Sequence, residues 1–198
     1  MDDRGQAFTL EAVVAALLIV SAVAFSLQIM AITSNTASVG DTELRDQHAG
    51  IAQGLLDGAA DRGTLKNTLL SWNEKQERFH NATDEDGFYL AEPPDTTFGE
   101  DLEEHLASQG LRYNIDLVYL DKAGERQTHQ LVEYGTPSAD AVRVTQTVTL
   151  YEDSHLVHKN GTAHEDASLQ TVNDTFYAPN IDEESTVYTV IRVEVTVW

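Results

Sequence analysis

Residues 12–32 read AVVAALLIVSAVAFSLQIMAI and contain no charged side chain. The polar members of this run are Ser21, Ser26 and Gln28, each able to bond within a helix or toward a neighbour. At ~1.5 Å per residue, a helix of this length crosses a hydrocarbon core about 30 Å thick. No other feature narrows the available folds as much. Such a segment must be buried in lipid or against other apolar surface. The sequence predicts a long apolar helix over 6–32. Ahead of it stands MDDRG, with one base and two acids, which lacks the basic start of a secretory signal peptide.

Charge is concentrated elsewhere. Residues 5–40 hold one charged side chain, Glu11, whereas the 198-residue chain has 33 Asp and Glu against 12 Lys and Arg, a formal net charge of -21. Phosphate backbones are repelled by such a chain, which excludes nucleic acid as a partner. With no cysteine, disulfides, thiolate zinc sites, iron–sulfur clusters and cysteine nucleophiles are excluded. Arginines outnumber lysines 8 to 4 and the acids are dispersed, the pattern of a salt-adapted, halophilic surface. In molar salt the Debye length is about 3 Å, so self-repulsion is screened.

Beyond residue 40 the hydrophobic period is first helical. Leu44, His48, Ile51, Leu55 and Ala59 share one face of an amphipathic helix that ends at Gly63. Gly50, Gly54 and Gly58 give small-xxx-small spacing, which predicts close approach of another element. A short helix is expected over 64–72 and a loop over 73–97. A third helix is expected from Thr97, with Glu100 completing a capping box and Phe98, Leu102 and Leu106 on one face.

The period then changes to two. Tyr113, Ile115, Leu117 and Tyr119 mark a first strand over 111–120. Asp121-Lys122-Ala123-Gly124 is a turn into a second strand, 126–134. Val142, Val144, Val148 and Leu150 mark the third strand. Val187, Ile191, Val193, Val195 and Val197 mark the fourth, with Tyr188, Arg192, Glu194 and Thr196 on its other face. Residues 152–185 read as a long polar connection, of the kind that is either functional or mobile.

Motifs that carry chemistry are sparse. His155, His158 and His164 share the 152–185 segment with Asp153, Glu165 and Asp166. Their spacing is not that of a zinc site, and they read as solvated histidines. An anchored enzyme would need a convergent site in that segment. Asp84-Glu85-Asp86 and Asp182-Glu183-Glu184 lack EF-hand spacing and read as solvated surface. Asn81, Asn160 and Asn173 each begin an Asn-x-Thr sequon and are candidate N-glycosylation sites. No catalytic residue, metal site or cofactor is assigned.

Asp3-Arg4-Gly5-Gln6 resembles the processing site of archaeal type IV pilin-like leaders. These are short and hydrophilic, and end in a charged residue and Gly just before the apolar helix. The resemblance implies cleavage after Gly5 by a prepilin peptidase, with Arg4, Gly5 and Gln6 as the processing site. Phe8-Thr9-Leu10 followed by Glu11 is similar to the FTL-x-E signature of type IV pilins. It implies an assembly role for Phe8 and Glu11, the carboxylate pairing with a neighbouring subunit's amino terminus. Here Phe8 lies three positions after Gly5 and Glu11 would be the sixth mature residue. With RGQAFTLEA at the start and VEVTVW at the end, the chain resembles a haloarchaeal pilin-like membrane-protein family.

Together these readings predict an α+β, pilin-like fold: a long amino-terminal transmembrane helix, then a four-stranded antiparallel sheet with short helices. The expected divisions are a leader at 1–5, the apolar helix at 6–32, its amphipathic extension at 33–63 and an acidic extracellular domain at 64–198. The expected function is that of a type IV pilin-like structural protein at the cell surface. It would cross the cell membrane once and assemble into a pilus as a major or minor subunit. The expected partners are membrane lipid, other pilin-like subunits and the peptidase. The alternative is a membrane-anchored extracellular binding or accessory protein that does not polymerise.

Overall fold

A computed structural model describes residues 19, 42–84, 86–158 and 161–198. The chain divides into two compact units, Met1–Leu44 and Arg45–Trp198. Of the first, Ile19 and residues 42–44 are described, and they are helical. The rest of the expected apolar helix, with Arg4, Gly5, Gln6, Phe8 and Glu11, lies outside the described residues. No helix among the described residues is long and apolar enough to cross a membrane. The single-pass membrane placement is corrected on that finding. So are the pilus, cell-surface and extracellular assignments that depended on it.

Helix α1 covers residues 42–61. Then follow α2 (Thr64–Leu69), β1 (Trp72–Asn73), β2 (Arg78–Phe79), β3 (Tyr89–Leu90) and α3 (Thr97–His105). The remaining strands are β4 (Tyr113–Leu120), β5 (Arg126–Glu133), β6 (Val142–Tyr151), β7 (His155–Val157), β8 (Ala163–Ser168) and β9 (Val187–Val197). The main sheet has five strands in the order β3-β5-β4-β9-β6. It is mixed, because β3 runs parallel to β5 while every other pairing is antiparallel. This corrects the four-stranded antiparallel sheet. Strand β3 is two residues long, too short to show any period, and it is cut off by Pro93-Pro94. Two small antiparallel hairpins, β1–β2 and β7–β8, stand where loops were expected.

Register sorts the side chains. Tyr113, Ile115 and Leu117 lie opposite Val197, Val195 and Val193. Val144 and Val148 lie opposite Val195 and Ile191. All are buried with Ala52, Leu56 and Ala59 of α1, Leu65 and Leu69 of α2, and Phe98, Leu102 and Leu106 of α3 in one core cluster. The three helices therefore cover one face of the sheet, and among the described residues no helix lies on the other, the open face.

Helix α1 presents a different stripe from the one its sequence suggests. Ala52, Leu56 and Ala59 are buried, Ile51 and Leu55 are partly covered, and Leu44 is exposed. The two small alanines let the helix lie close to its neighbours. Gly50 and Gly54 point into open space, with nothing within 4 Å of where a Cβ would sit. The close approach expected from the glycine spacing is absent at both. Helix α3 begins one residue earlier than its capping box predicts. Thr96 is the N-cap, and its hydroxyl accepts from the Gly99 amide at 3.3 Å.

Trp72, Phe79 and Tyr177 pack around His129 of β5, with the imidazole stacked on Tyr177 at 5.1 Å between centroids and Phe176 lying 4.3 Å from the Tyr177 ring. Nε2 of His129 is shut off from solvent and has no hydrogen-bond partner among the described residues. Burial holds this imidazole below its ordinary value of 6.5. On acidification the unfolded chain takes up a proton first, so stability falls as the pH drops through 6.5 toward the lower folded-state value. Denaturant titrations at pH 7.5 and 5 are expected to show a steeper loss for wild type than for His129→Phe. The difference should reach up to about 1.4 kcal/mol per pH unit. Equal slopes would mean that His129 takes up its proton as readily in the folded protein as in the unfolded chain, so that burial does not lower it.

Candidate functional site: the open face of the sheet

The open face carries Asn114, Asp116 and Val118 from β4, Arg126, Thr128 and Gln130 from β5, Arg143, Thr145, Thr147 and Thr149 from β6, and Val190, Arg192, Glu194 and Thr196 from β9. β-branched and long polar side chains suit a flat, pleated, solvated surface. One exception stands at its centre. Glu194 is 5% exposed, and a buried carboxylate persists only where it is paired.

Three guanidiniums meet that requirement. Arg126 Nη2 lies 2.8 Å from Glu194 Oε1, Arg192 Nε 3.0 Å from the same oxygen, and Arg143 Nη1 3.0 Å from Oε2. Arg143 Nε also donates to the Thr196 hydroxyl at 3.2 Å. Each arginine comes from a different strand. Arg126 reaches diagonally from β5, which fits the 5% exposure of the intervening Val118. The arginines are themselves about half exposed. Their remaining N–H donors therefore face solvent.

Register sets Asp116 directly opposite Glu194. Like charges in that position repel. Burial raises the Asp116 carboxyl above its ordinary value, Arg143 opposes the rise, and Glu194 and Glu133 add to it. Arg126, Arg143 and Arg192 are matched by Glu194, Asp116 and Glu133, so the patch is close to neutral on a chain of net charge -21. Its solvent-facing guanidinium donors can still take carboxylates from a partner while its threonines supply contact.

Glu194→Gln keeps the shape and removes the charge that gathers the arginines. Its expected cost is about 1–3 kcal/mol, limited because the guanidiniums can turn to water. Arg192→Ala removes one of three half-exposed partners and should cost under about 1 kcal/mol. Urea titration compares the two. Equal costs would show that Glu194 is not the hub.

The residues singled out in the sequence lie elsewhere. Asn81 has a left-handed backbone, φ 59°, and its Nδ2 donates to Asp95 Oδ2 at 2.5 Å. Thr83 of the same sequon accepts from the Leu90 amide at 2.9 Å. Both polar side chains of this sequon are used within the fold. Asn173 Oδ1 accepts from the Tyr188 hydroxyl at 3.1 Å. Asn160 lies outside the described residues.

In the β7–β8 hairpin the His158 and His164 rings stack at 4.4 Å, and His155 Nδ1 is 3.0 Å from the His164 carbonyl oxygen. Stacked imidazoles do not converge on a common point. The acidic tracts make turns: Asp84 accepts from the Asp86 amide at 2.8 Å, and Asp182 from the Glu184 amide at 3.0 Å. Among the described residues no group of three or more His, Asp or Glu is placed to hold a metal ion.

The Arg–Glu194 cluster was missed in the sequence. Its signal was there in part, as Arg192-x-Glu194 on the polar face of the last strand. Arg126 and Arg143 join it only through strand pairing.

A family of unknown function (DUF7288) matches the chain over residues 4–197. No curated protein matches it, and no solved structure does. The family match lends no support to the pilus and membrane reading.

Proposed function

We propose, for a chain that belongs to the DUF7288 family, a structural role: it acts by associating with other protein subunits rather than by turning over a substrate. The observation that carries this reading is the open sheet face. It is rich in threonine, and it holds the one place where three arginines converge among the described residues. Solvated N–H donors on half-exposed guanidiniums favour an acidic protein partner, since planar forks match carboxylates. The resemblance of residues 3–12 to the leaders of assembling subunits points the same way. It adds a processing peptidase as a transient partner, acting between Gly5 and Gln6.

The test uses the native protein. Mass spectrometry of its amino terminus and light scattering of its particle size are measured together. The expected result is a chain beginning at Gln6, in particles larger than one copy, and their loss in R126E/R192E. A native protein that stays monomeric at every concentration overturns the reading, whatever its amino terminus.

A further inference from the structure

The two edges of the main sheet are built differently. At one edge β3 is two residues long and is followed by Pro93-Pro94, so few backbone groups are left open. At the other, β6 runs for ten residues, Val142–Tyr151, and every ladder partner it has lies on β9. No backbone group of Val142–Leu150 bonds to any described residue outside β9. In an antiparallel ladder every second residue of an edge strand turns its N–H and C=O outward. Edges left this way pair with other chains unless something blunts them. Few of the usual devices are present: β6 has no Pro and no Lys, its one charge, Arg143, is drawn to Glu194 of β9, and its register shift comes only at Leu150/Tyr151, where the strand ends.

We propose that β6 is a self-pairing edge, at which two copies of this chain join β6 to β6 antiparallel about a two-fold axis normal to the sheet and form one continuous ten-stranded sheet. This rests on the structural role proposed above and goes beyond it: the contact is made by the backbone of the sheet edge rather than by the open-face arginines, and the partner there is a second copy.

The side chains favour that occupant. A two-fold axis through Gln146 sets Val142 of one copy opposite Leu150 of the other, and Val144 opposite Val148, on the helix-covered face. On the open face it sets Arg143 opposite Thr149, and Thr145 opposite Thr147. Apolar meets apolar, threonine meets threonine, and no like charges face each other. A slip of one residue would set the core face against the open face, so the parity is fixed.

Charge allows the approach as well. Residues 141–151 read AVRVTQTVTLY, without an acid, in a chain of net charge -21. Asp140, just before the strand, is paired with Arg45. An isologous two-fold contact closes on itself and needs no second kind of surface.

Thr145 and Thr147 are exposed on the open face, opposite Glu194 and Arg192 of β9. Charges placed there leave the apolar core intact but adjoin the arginine cluster, so each variant is melted as a monomer to check that its fold is unchanged. The full chain is examined in a mild nonionic detergent by sedimentation equilibrium, with hydrogen exchange over 142–151 and a thermal melt to confirm folding. Wild type is expected to dimerise and to protect amides of β6 in the dimer. In T145K/T147K the introduced lysines face each other twice, and the dissociation constant should rise at least tenfold. In T145K/T147E lysine faces glutamate, and dimerisation should return. A wild-type monomer overturns the proposal. So does a T145K/T147K dimer as tight as wild type, but that outcome leaves the broader structural reading standing, because the copies then associate through another surface.

Discussion

Trp72→Ala is expected to lower the free energy of unfolding by about 3–5 kcal/mol. Trp72 is 4% exposed although it belongs to a two-residue strand. Its ring meets Phe79 edge-on at 5.2 Å, His129 at 5.9 Å, Phe176 at 6.2 Å and Tyr177 at 5.3 Å. Its Nε1 donates to the Thr175 carbonyl at 2.7 Å. One side chain thus ties the β1–β2 hairpin, strand β5 and the 171–178 turns together. Truncation forfeits the transfer energy of the indole, leaves a cavity, and orphans the Thr175 carbonyl. Trp72→Phe separates the contributions. It retains most of the aromatic area and loses the hydrogen bond, so its cost should be roughly half as large. Urea unfolding followed by circular dichroism measures both. A Trp72→Ala loss under about 1 kcal/mol would mean that the hairpin is not docked as described.

The same cluster shows what a sequence can and cannot display. Strands β4, β6 and β9 alternate apolar and polar side chains over eight to eleven residues, long enough for the period to be read directly. Trp72, Phe79, His129 and Phe176 come from four separate segments, and nothing local links them. Strand β3 is specified by its parallel docking, Tyr89 opposite Val132, and not by any period of its own. The β7–β8 hairpin hides because its outer residues, such as Glu165 and Asp166, are exposed acids. The polar face of β9 was visible as Tyr188, Arg192, Glu194 and Thr196. That Glu194 would be buried depends on Arg126 and Arg143, which lie 68 and 51 residues away. Pairing register creates that site, and register is a tertiary property. The apolar run at 12–32 was the clearest local signal in the chain. It supported an expectation about membrane crossing that no described helix fulfils.

Gly99→Ala is expected to destabilise the protein by about 3 kcal/mol, although alanine is the better helix former by about 1 kcal/mol. Gly99 sits in the first turn of α3, where the Thr96 hydroxyl caps its amide. A Cβ built there would overlap the Pro94 carbonyl oxygen. That oxygen already accepts from the Thr96 amide at 2.8 Å, and the preceding residue is also proline, so the 93–96 turn has little freedom to retreat. The helix would have to shift instead, carrying Phe98, Leu102 and Leu106, each at most 1% exposed, out of register with the sheet. Gly54→Ala in α1 is the control. Its Cβ meets nothing within 4 Å, so only propensity acts, and stability should rise by about 0.5–1 kcal/mol. For a chain of this size 1 kcal/mol moves Tm by roughly 2–4 °C. Gly99→Ala should therefore melt about 6–12 °C below wild type and Gly54→Ala a few degrees above it. One substitution in two helices then gives opposite signs, because at Gly99 a carbonyl oxygen occupies the space that the methyl group needs. Equal shifts in both variants would mean that α3 does not lie against the Pro94 turn.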